Sequence, residues 1–229
     1  MIKIQSIVDN TRKYLEDCIF RGDFCPGQQI KEQEIASLLG ISRPPVREAM
    51  KLLEGAGLIT RKPNRGAFVT MIDEKDAWEI YTLKSDLYEF ATRLAFEKIS
   101  DDEIRGLEKV VKDMETCIMA DSPDVIRYQE LNQRFHDMII QVSGHQRLRK
   151  IVQILHHQVM RFSCMSLMNE VHLKDSLHYH RKILAAFKKR DMAATIELTH
   201  EHIMRGLDMV QEIIAKELST MKSTGTETE

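Results

Sequence analysis

The sequence predicts a mainly helical protein of two parts, a small N-terminal domain with a β-hairpin and a larger all-helical bundle. Three observations lead to this prediction. Apolar residues recur at helical spacing between Gly and Pro breakers in the first part of the chain, two short β-prone runs follow, and the remainder is helical in pattern nearly throughout. We expect domains at residues 1–71 and 72–219, with a disordered tail at 220–229.

The composition is that of an ordinary globular protein, with 43% hydrophobic and 30% charged residues in 229. No apolar run approaches the roughly eighteen residues needed to cross a bilayer, and the first residues contain no apolar signal core. We therefore expect a cytoplasmic protein with no membrane partner. The cysteines are too scattered for a zinc ribbon or a disulfide framework, and we expect buried or partly buried thiols: Cys18, Cys25, Cys117 and Cys164.

The formal net charge of −2 hides an uneven distribution. Residues 1–70 carry eleven Lys and Arg against eight Asp and Glu, whereas acidic residues are in excess in the rest of the chain. The excess positive charge lies mostly in residues 40–70. A basic patch on a nearly neutral protein predicts a polyanion partner for this end of the molecule, with an ordinary solvated surface as the alternative.

The first two helices are predicted from apolar spacing and from the residues that end them. Residues 4–21 have roughly helical spacing, and Gly and Pro breakers follow. A second helix over about residues 31–39 ends at Gly40, which suits a left-handed C-cap. The buried face of this second helix is expected to consist of Ile35, Leu38 and Leu39.

A third helix is predicted to begin directly after Ser42, a good N-cap residue. Arg43, Pro44 and Pro45 then occupy its first three positions, where the backbone N–H groups have no intrahelical acceptor and proline costs little. Its buried stripe is expected to contain Val46, Met50, Leu53 and the adjacent Leu52. On the opposite face every fourth residue is basic, namely Arg43, Arg47 and Lys51.

The runs "LITRK" and "GAFVTM", separated by "PNR", predict a β-hairpin after the third helix. Arg65, next to Gly66 at its tip, is placed to reach a phosphate or the minor groove of DNA. Two helices joined by a tight turn place the second helix in the major groove. The elements together predict a winged helix-turn-helix that binds double-stranded DNA.

Residues 21–69 resemble the DNA-binding domain of GntR-type bacterial transcription regulators. The Pro-Gly pair, the "LGISR" turn, "PVREAM", "LEGAGLI" and the wing glycine all fall in register. The resemblance implies DNA contacts from Gln33, Ser42, Arg43, Pro44, Arg47, Arg65 and Gly66. Arg43 and Arg47 are the strongest candidates, because arginine bonds guanine at two points or clamps a phosphate. Gln33 stands where relatives often have a basic residue.

The second domain is predicted to be a bundle of about six amphipathic helices. Ser100 and Glu103 form a capping-box pattern at the start of one helix. Ser122 is expected to cap another helix, with Pro123 at its first position and Gly144 at its end.

Three histidines of this domain lie on apolar helix faces. His136 follows Asn132 by one turn, so both side chains point from the same face. His180 lies within an apolar series from Leu173 to Phe187, and His202 lies on a largely apolar stripe of the last helix. Three imidazoles and one carbonyl oxygen from three helices would form a zinc-like or nickel-like site. For each histidine taken singly, a hydrogen-bonded core residue is the alternative.

The segments "LNQRFH" and "HRKILAAF", and the spacing from His180 to His202, resemble the all-helical effector domain of the FadR branch of the same family. That resemblance implies a divalent metal held by an aspartate, a histidine four residues later and two further histidines. Here Asn132 replaces the aspartate with a weaker, neutral oxygen donor. A zinc or nickel ion would then keep its full charge and favour an anionic effector such as a small carboxylate.

The segment "YTLKSDLYEFATRLA" resembles the first effector-domain helix, in which relatives commonly have an arginine at the position of Lys84. Lysine keeps the charge but lacks the planar fork that holds a carboxylate at two points. Lys84 is therefore a candidate effector-binding residue, with a solvated surface lysine as the alternative. Among the other histidines, His178 is the one expected to support the metal ligands.

These features predict a ligand-responsive transcription regulator rather than an enzyme. A homodimer is expected, because one winged domain covers a half-site and two-fold operators match two-fold proteins. A helical metal hydrolase with an accessory DNA-binding head is the alternative, with Glu130 or Asp137 as the only candidate bases. A constitutive architectural DNA binder is a third possibility, for which the second domain would be superfluous.

Overall fold

The computed structural model describes residues 6–63, 65–119 and 123–224, with side chains as far as residue 216. Within these ranges the chain forms nine α-helices and three short β-strands. It divides into two compact units: the first ends at Ile72 and also includes residues 157–161, and the second comprises the rest of the chain from Asp73. No helix in the described ranges combines the length and the apolar character that a membrane crossing requires.

The first unit has three helices and three strands: α1 (Ile7–Arg21), β1 (Gln29–Ile30), α2 (Glu32–Leu39), α3 (Arg43–Gly55), β2 (Ile59–Lys62) and β3 (Gly66–Val69). Gly40 ends α2 in the left-handed conformation with φ 64°, as predicted. Helix α3 begins at Arg43 with both prolines in its first turn. Ser42 occupies the N-cap position, but its side chain makes no capping hydrogen bond.

The wing is a three-stranded antiparallel sheet in the order β1-β3-β2, whereas the sequence predicted a two-stranded hairpin. Gln29 pairs with Phe68 and Ile30 with Ala67, so β1 covers the outer edge of β3. A strand of two residues is too short to show alternating polarity, which is why the pattern did not reveal it.

The core of the first unit is apolar and draws on every element, including Leu15, Ile35, Val46, Met50, Leu53, Ile59 and Val69. Leu38 and Leu52 were predicted to be buried but are exposed, at 65% and 49%. Each lies one position, about 100° around the helix, from a leucine that packs inward. Cys25 is also exposed, contrary to expectation, whereas Cys18 is buried.

The second unit is a bundle of six helices: α4 (Glu74–Phe96), α5 (Asp101–Met119), α6 (Val125–Ser143), α7 (Gln146–Leu167), α8 (Glu170–Lys188) and α9 (Met192–Thr224). The predicted capping box is present. Glu103 Oε2 accepts from the Ser100 backbone N–H at 2.8 Å, and Ser100 Oγ accepts from the Glu103 N–H at 3.3 Å. Gly144 ends α6 with φ 71°, as predicted.

Two predicted boundaries in the bundle were wrong. Helix α6 begins at Val125, and Asp124 is its N-cap, because the Asp124 carboxylate accepts from the Arg127 N–H. Pro123 precedes the helix, and Ser122, the predicted cap, lies outside the described residues. Helix α9 continues to Thr224, so the chain is still helical beyond residue 219, where the tail was expected to begin. Residues 225–229 of that tail also lie outside the described part.

The core of the bundle is built from large side chains, including Leu107, Met114, Tyr128, Phe135, Leu173 and Phe187. Helix α4 packs against α6 and α9, and α8 packs against α5 and α9. This packing turns the inner faces of α4, α6, α8 and α9 toward one region of the bundle. The candidate metal ligands lie on three of these four helices.

Candidate DNA-reading surface and metal cavity

All seven residues predicted to contact DNA are exposed in the first unit. We call this set the DNA-reading surface: Gln33 on α2, Ser42 at the N-cap of α3, Arg43, Pro44 and Arg47 on α3, and Arg65 and Gly66 at the wing. Contact with a duplex requires such exposure, and the basic side chains among them supply the charge that phosphates attract.

One acidic residue, which sequence reasoning did not single out, holds both arginines of α3. Glu32 Oε1 accepts from Arg47 Nε at 3.0 Å, and Glu32 Oε2 accepts from Arg47 Nη2 at 2.9 Å. Arg43 Nη2 also donates to Oε2, at 3.3 Å. The hydrogen bond from Arg47 is the main reason that the pKa of Glu32 is lowered, so the carboxylate is ionised.

The wing tip is positioned by the strand that the sequence pattern missed. Gln29 of β1 donates its side-chain amide to the Arg65 carbonyl at 2.7 Å. Gly66 has φ 94°, and a Cβ built there would lie 3.0 Å from Gln29 Nε2. Glycine is therefore favoured at this point by its positive φ, and a side chain there would also have to displace the Gln29 amide.

In the second unit, the three predicted histidines converge. Ligand nitrogens of His136, His180 and His202 all lie within 4.8 Å of one another. The ring centroids of His180 and His202 are 4.4 Å apart, and that of His136 is 5.2 Å from each of them. Because α6, α8 and α9 each contribute one ring, this arrangement depends on the packing of the bundle.

The hydrogen bonding of the cluster leaves lone pairs without partners. His180 Nδ1 lies 2.6 Å from the Ser176 carbonyl oxygen, so this nitrogen carries the proton and Nε2 is a free acceptor. His180 Nε2, His136 Nδ1 and Asn132 Oδ1 are buried and have no hydrogen-bond partner among the described residues. Asn132 donates its amide to Gln129 Oε1 at 3.3 Å, which leaves Oδ1 available as an oxygen ligand.

The three imidazoles are neutral at pH 7. Burial lowers the pKa of His180 to about 4, and burial, followed by the proximity of His180, lowers the pKa of His136 and of His202 well below 6.5. A neutral imidazole with an unshared lone pair is the form that binds a metal. Orphan nitrogen and oxygen acceptors in one buried cluster fit a divalent cation, and Asn132, His136, His180 and His202 would hold it.

A cavity with about 510 Å³ of empty space, partly open to solvent, adjoins this cluster. None of the described residues that line it is an Asp or a Glu. Its polar lining consists of Tyr81, Lys84, Tyr88, Gln129, Asn132, Gln133, His136, His156, Ser163, Ser166, His172, Ser176 and His202. The only formally charged side chain in this lining is a cation, so the cavity favours an anion.

That cation is Lys84, which is only 6% exposed. Its Nζ lies 5.1 Å from the ring centroid of Tyr81 and 5.7 Å from that of Tyr88. Burial lowers the pKa of Lys84 to about 8, and no carboxylate among the described residues forms an ion pair with it. The alternative of a solvated surface lysine is therefore wrong.

The prediction that His178 supports the metal ligands is wrong. His178 is exposed, whereas His156 and His172 line the cavity. His172 precedes His180 by eight residues, about two helical turns, and this spacing was an available signal. His156 comes from α7 and had no local signal. The ring of Tyr88, which was also missed, meets the His136 ring edge-on at 5.0 Å.

The two candidate bases of the hydrolase alternative do not line the cavity. Glu130 is exposed and forms an ion pair with Arg127 at 2.6 Å. Asp137 Oδ1 accepts from Gln133 Nε2 at 2.9 Å. Both carboxylates therefore have partners outside the proposed ligand set.

Comparison with known proteins gives two matches within the chain. Residues 8–69 match "Bacterial regulatory proteins, gntR family", and residues 79–205 match the "FCD domain". The chain is 28% identical over 202 residues to the uncharacterized HTH-type transcriptional regulator YdhC of Bacillus subtilis, covering 87% of this chain and 89% of that protein. It is 27% identical over 194 residues to the gluconate operon transcriptional repressor of the same species, covering 82% and 78%.

The fold has a counterpart among solved structures. Escherichia coli McbR/YncC superimposes with a TM-score of 0.76 at 20% identity, covering 90% of this chain and 98% of that one. The two sequence relatives are named as a transcriptional regulator and a transcriptional repressor, and the chain is accordingly a regulator rather than the hydrolase of the alternative. The FCD match alone spans more than half of the residues. The chain belongs to the GntR family of bacterial regulatory proteins, and it is a DNA-binding transcription regulator with a C-terminal FCD domain.

Proposed function

We propose that this regulator responds to a small organic acid bound in the cavity of its helical domain, with the help of a divalent metal ion. The residues proposed to hold the metal are Asn132, His136, His180 and His202, with zinc or nickel as the ion. A bound metal would supply a positive centre for an oxygen of the acid. Lys84 is proposed to bind a carboxylate oxygen of the same ligand.

One observation carries this proposal, namely a buried set of nitrogen and oxygen atoms without partners on α6 and α8, beside which α9 places the His202 ring. A buried polar group without a partner costs roughly 1–3 kcal/mol, so several in one place indicate a ligand that satisfies them. Because Asn132 is neutral, the four proposed ligands would leave the charge of the metal uncompensated. An anionic ligand would balance that charge.

The lining of the cavity supports a carboxylate as the effector. Lys84 is buried without a counter-ion among the described residues, and the serine, tyrosine and amide side chains around it offer hydrogen-bond donors to further oxygens. One relative is named as the repressor of a gluconate operon, and gluconate is a small carboxylate of this kind. A simple hydrocarbon ligand would leave the Lys84 ammonium group without an anionic partner.

Regulation is proposed to act through a homodimer on a two-fold operator. The DNA-reading surface of one chain would occupy one half-site, and the partner chain would occupy the other. The acid changes operator affinity only if it binds more tightly to one arrangement of the two DNA-reading domains than to the other. Gln33, Ser42, Arg43, Pro44, Arg47, Arg65 and Gly66 are the proposed contacts.

Elemental analysis after extensive dialysis tests the metal site. The wild type is expected to retain up to one divalent metal ion per chain. His180→Ala is expected to lose most of this metal. Asn132→Asp is expected to retain more than the wild type, since a carboxylate is the stronger ligand. His178→Ala, an exposed histidine on the same helix, is the control and should behave as the wild type. Small carboxylic acids should raise the melting temperature of the metal-loaded wild type but not that of His180→Ala. Equal metal content in the wild type, His180→Ala and Asn132→Asp would refute the proposed site.

A further inference from the structure

Glu32 is an unusual residue for a surface that binds a polyanion. It lies at the start of α2 beside the arginines of α3, and its side chain is 17% exposed. A carboxylate next to a phosphate backbone weakens binding at every sequence, because like charges repel. We therefore expect Glu32 to have a role that compensates for this loss of DNA affinity.

The geometry of the Glu32–Arg47 contact indicates what that role is. The carboxylate occupies Nε and one N–H of Nη2, which form one edge of the Arg47 guanidinium group. The end of the group, where an N–H of Nη1 and the second N–H of Nη2 lie side by side, stays available. That end carries two parallel donors, which is the pattern that pairs with guanine O6 and N7.

The same carboxylate also restrains Arg43. Arg43 Nη2 donates to Glu32 Oε2, so one acidic group ties together two arginines that are one helical turn apart. Both arginines are otherwise about half exposed, at 54% and 48% of their side-chain surface. Long side chains with this exposure would sample many rotamers without such a restraint.

We propose that Glu32 is a positioning residue for sequence reading, which fixes the rotamers of Arg47 and Arg43 and decides which guanidinium edge faces the bases. It lowers the affinity for DNA of any sequence and raises the discrimination between the correct and incorrect sequences. This proposal rests on the DNA contacts proposed above for the two arginines.

The test uses the full-length protein and two duplexes of equal length, one selected from a random library by the wild type and the other a scrambled version. Glu32→Gln keeps the shape but removes the charge and one strong acceptor. We expect it to bind the scrambled duplex more tightly than the wild type does, while the ratio of the two affinities falls about tenfold, the value of one good bidentate contact.

Glu34→Gln is the matched control. Glu34 lies on the same helix and carries the same charge, but it is exposed and pairs with Lys31 at 2.8 Å rather than with an arginine of α3. Its substitution should change the affinities for both duplexes equally and leave their ratio unaltered. Equal melting temperatures of the variants and the wild type would establish that folding is intact.

A double-mutant cycle separates positioning from a general structural effect. In an Arg47→Ala background, most of the effect of Glu32→Gln on the affinity ratio should disappear, and what remains should reflect Arg43 alone. An unchanged or increased ratio in Glu32→Gln overturns the proposal. If Arg43→Ala and Arg47→Ala leave the affinity for the selected duplex unaltered, the proposed DNA contacts themselves fail.

Discussion

Among single residues, Lys84 shows most clearly a conflict between stability and function, because its buried charge destabilises the fold and is also the group proposed to bind the effector. Its ammonium group is buried between two tyrosine rings, and its pKa is lowered to about 8 by the loss of solvation. A buried cation without a counter-ion destabilises the folded state. Binding sites contain such groups when a bound ligand stabilises them. The anion proposed for the cavity would be that ligand.

We expect Lys84→Met to stabilise the ligand-free, metal-free protein at pH 7 by roughly 1–3 kcal/mol, because it removes the buried charge while keeping the length of the side chain. The pKa of about 8 in the folded state lies below the ordinary value of 10.5, so between these values the unfolded chain binds more protons than the folded one. Wild-type stability should therefore rise across this range, and the advantage of the variant should shrink.

Urea unfolding at pH 7 and at about pH 9.5, in the presence of a chelator, measures this difference. Lys182→Met removes an exposed lysine from the same domain and should show no such change between the two pH values. A Lys84→Met protein that is less stable than the wild type at pH 7 would contradict the prediction. The same variant should also lose the thermal stabilisation by carboxylic acids.

At the element scale, the turn between α2 and α3 determines how the reading helix is presented. Gly40 ends α2 with φ 64°, and its N–H donates to carbonyl oxygens of the last turn of the helix. Pro44 and Pro45 then fix the start of α3, where the missing N–H groups cost no helical hydrogen bond. The direction of α3 therefore depends on a left-handed residue followed at once by a stiff helix start.

Gly40→Ala is expected to destabilise the first unit by about 1 kcal/mol, because a side chain is strained in the left-handed conformation. The cause would be backbone strain alone, since no atom lies within 4 Å of the position a Cβ would take. Gly55→Ala, at the end of α3, meets equally open space without a positive φ and should be neutral or slightly stabilising. Hydrogen exchange of the α3 amides, measured by mass spectrometry, compares the two variants. Equal protection in both would rule out the strain.

Across the whole molecule, the proposed function requires that a ligand bound in the helical bundle alter DNA binding by the other compact unit. The wild type should bind a selected duplex with an affinity that falls steeply with salt, and small carboxylic acids should change that affinity. The double variant Arg43→Ala, Arg47→Ala should lose specific binding while keeping the acid-induced rise in melting temperature.

Gel-shift titrations at two salt concentrations, each with and without acid, check this pair of expectations. The double variant serves as the internal control, because its effector domain is unchanged. Unaltered affinity of the double variant for the selected duplex at both salt concentrations would contradict the assignment of α3 as the reading helix. An affinity of the wild type that does not respond to any acid tested would argue against the proposed class of effector.

Most of the secondary structure follows from the amino-acid sequence alone, because the signals are local. Apolar spacing of 3.6 residues, the glycine at position 40, the Ser100–Glu103 capping box and the two prolines of α3 each act within one or two turns of the chain. Basic residues every fourth position on α3 likewise followed from local spacing. Strand β1 was not predicted, because its two residues form a strand only where β3 lies beside them.

Which side chains meet and which are buried depends on the packing of the helices against one another. His136, His180 and His202 lie on three helices, and nothing local brings their ligand nitrogens within 4.8 Å of one another. The burial of Lys84 depends on how its helix packs, and Glu32 contacts Arg43 and Arg47 only because α3 brings them to it. Helix caps and helical hydrogen bonds form between neighbours in sequence, whereas desolvation and ligand clusters arise from contacts between distant segments, which is why the latter required the fold.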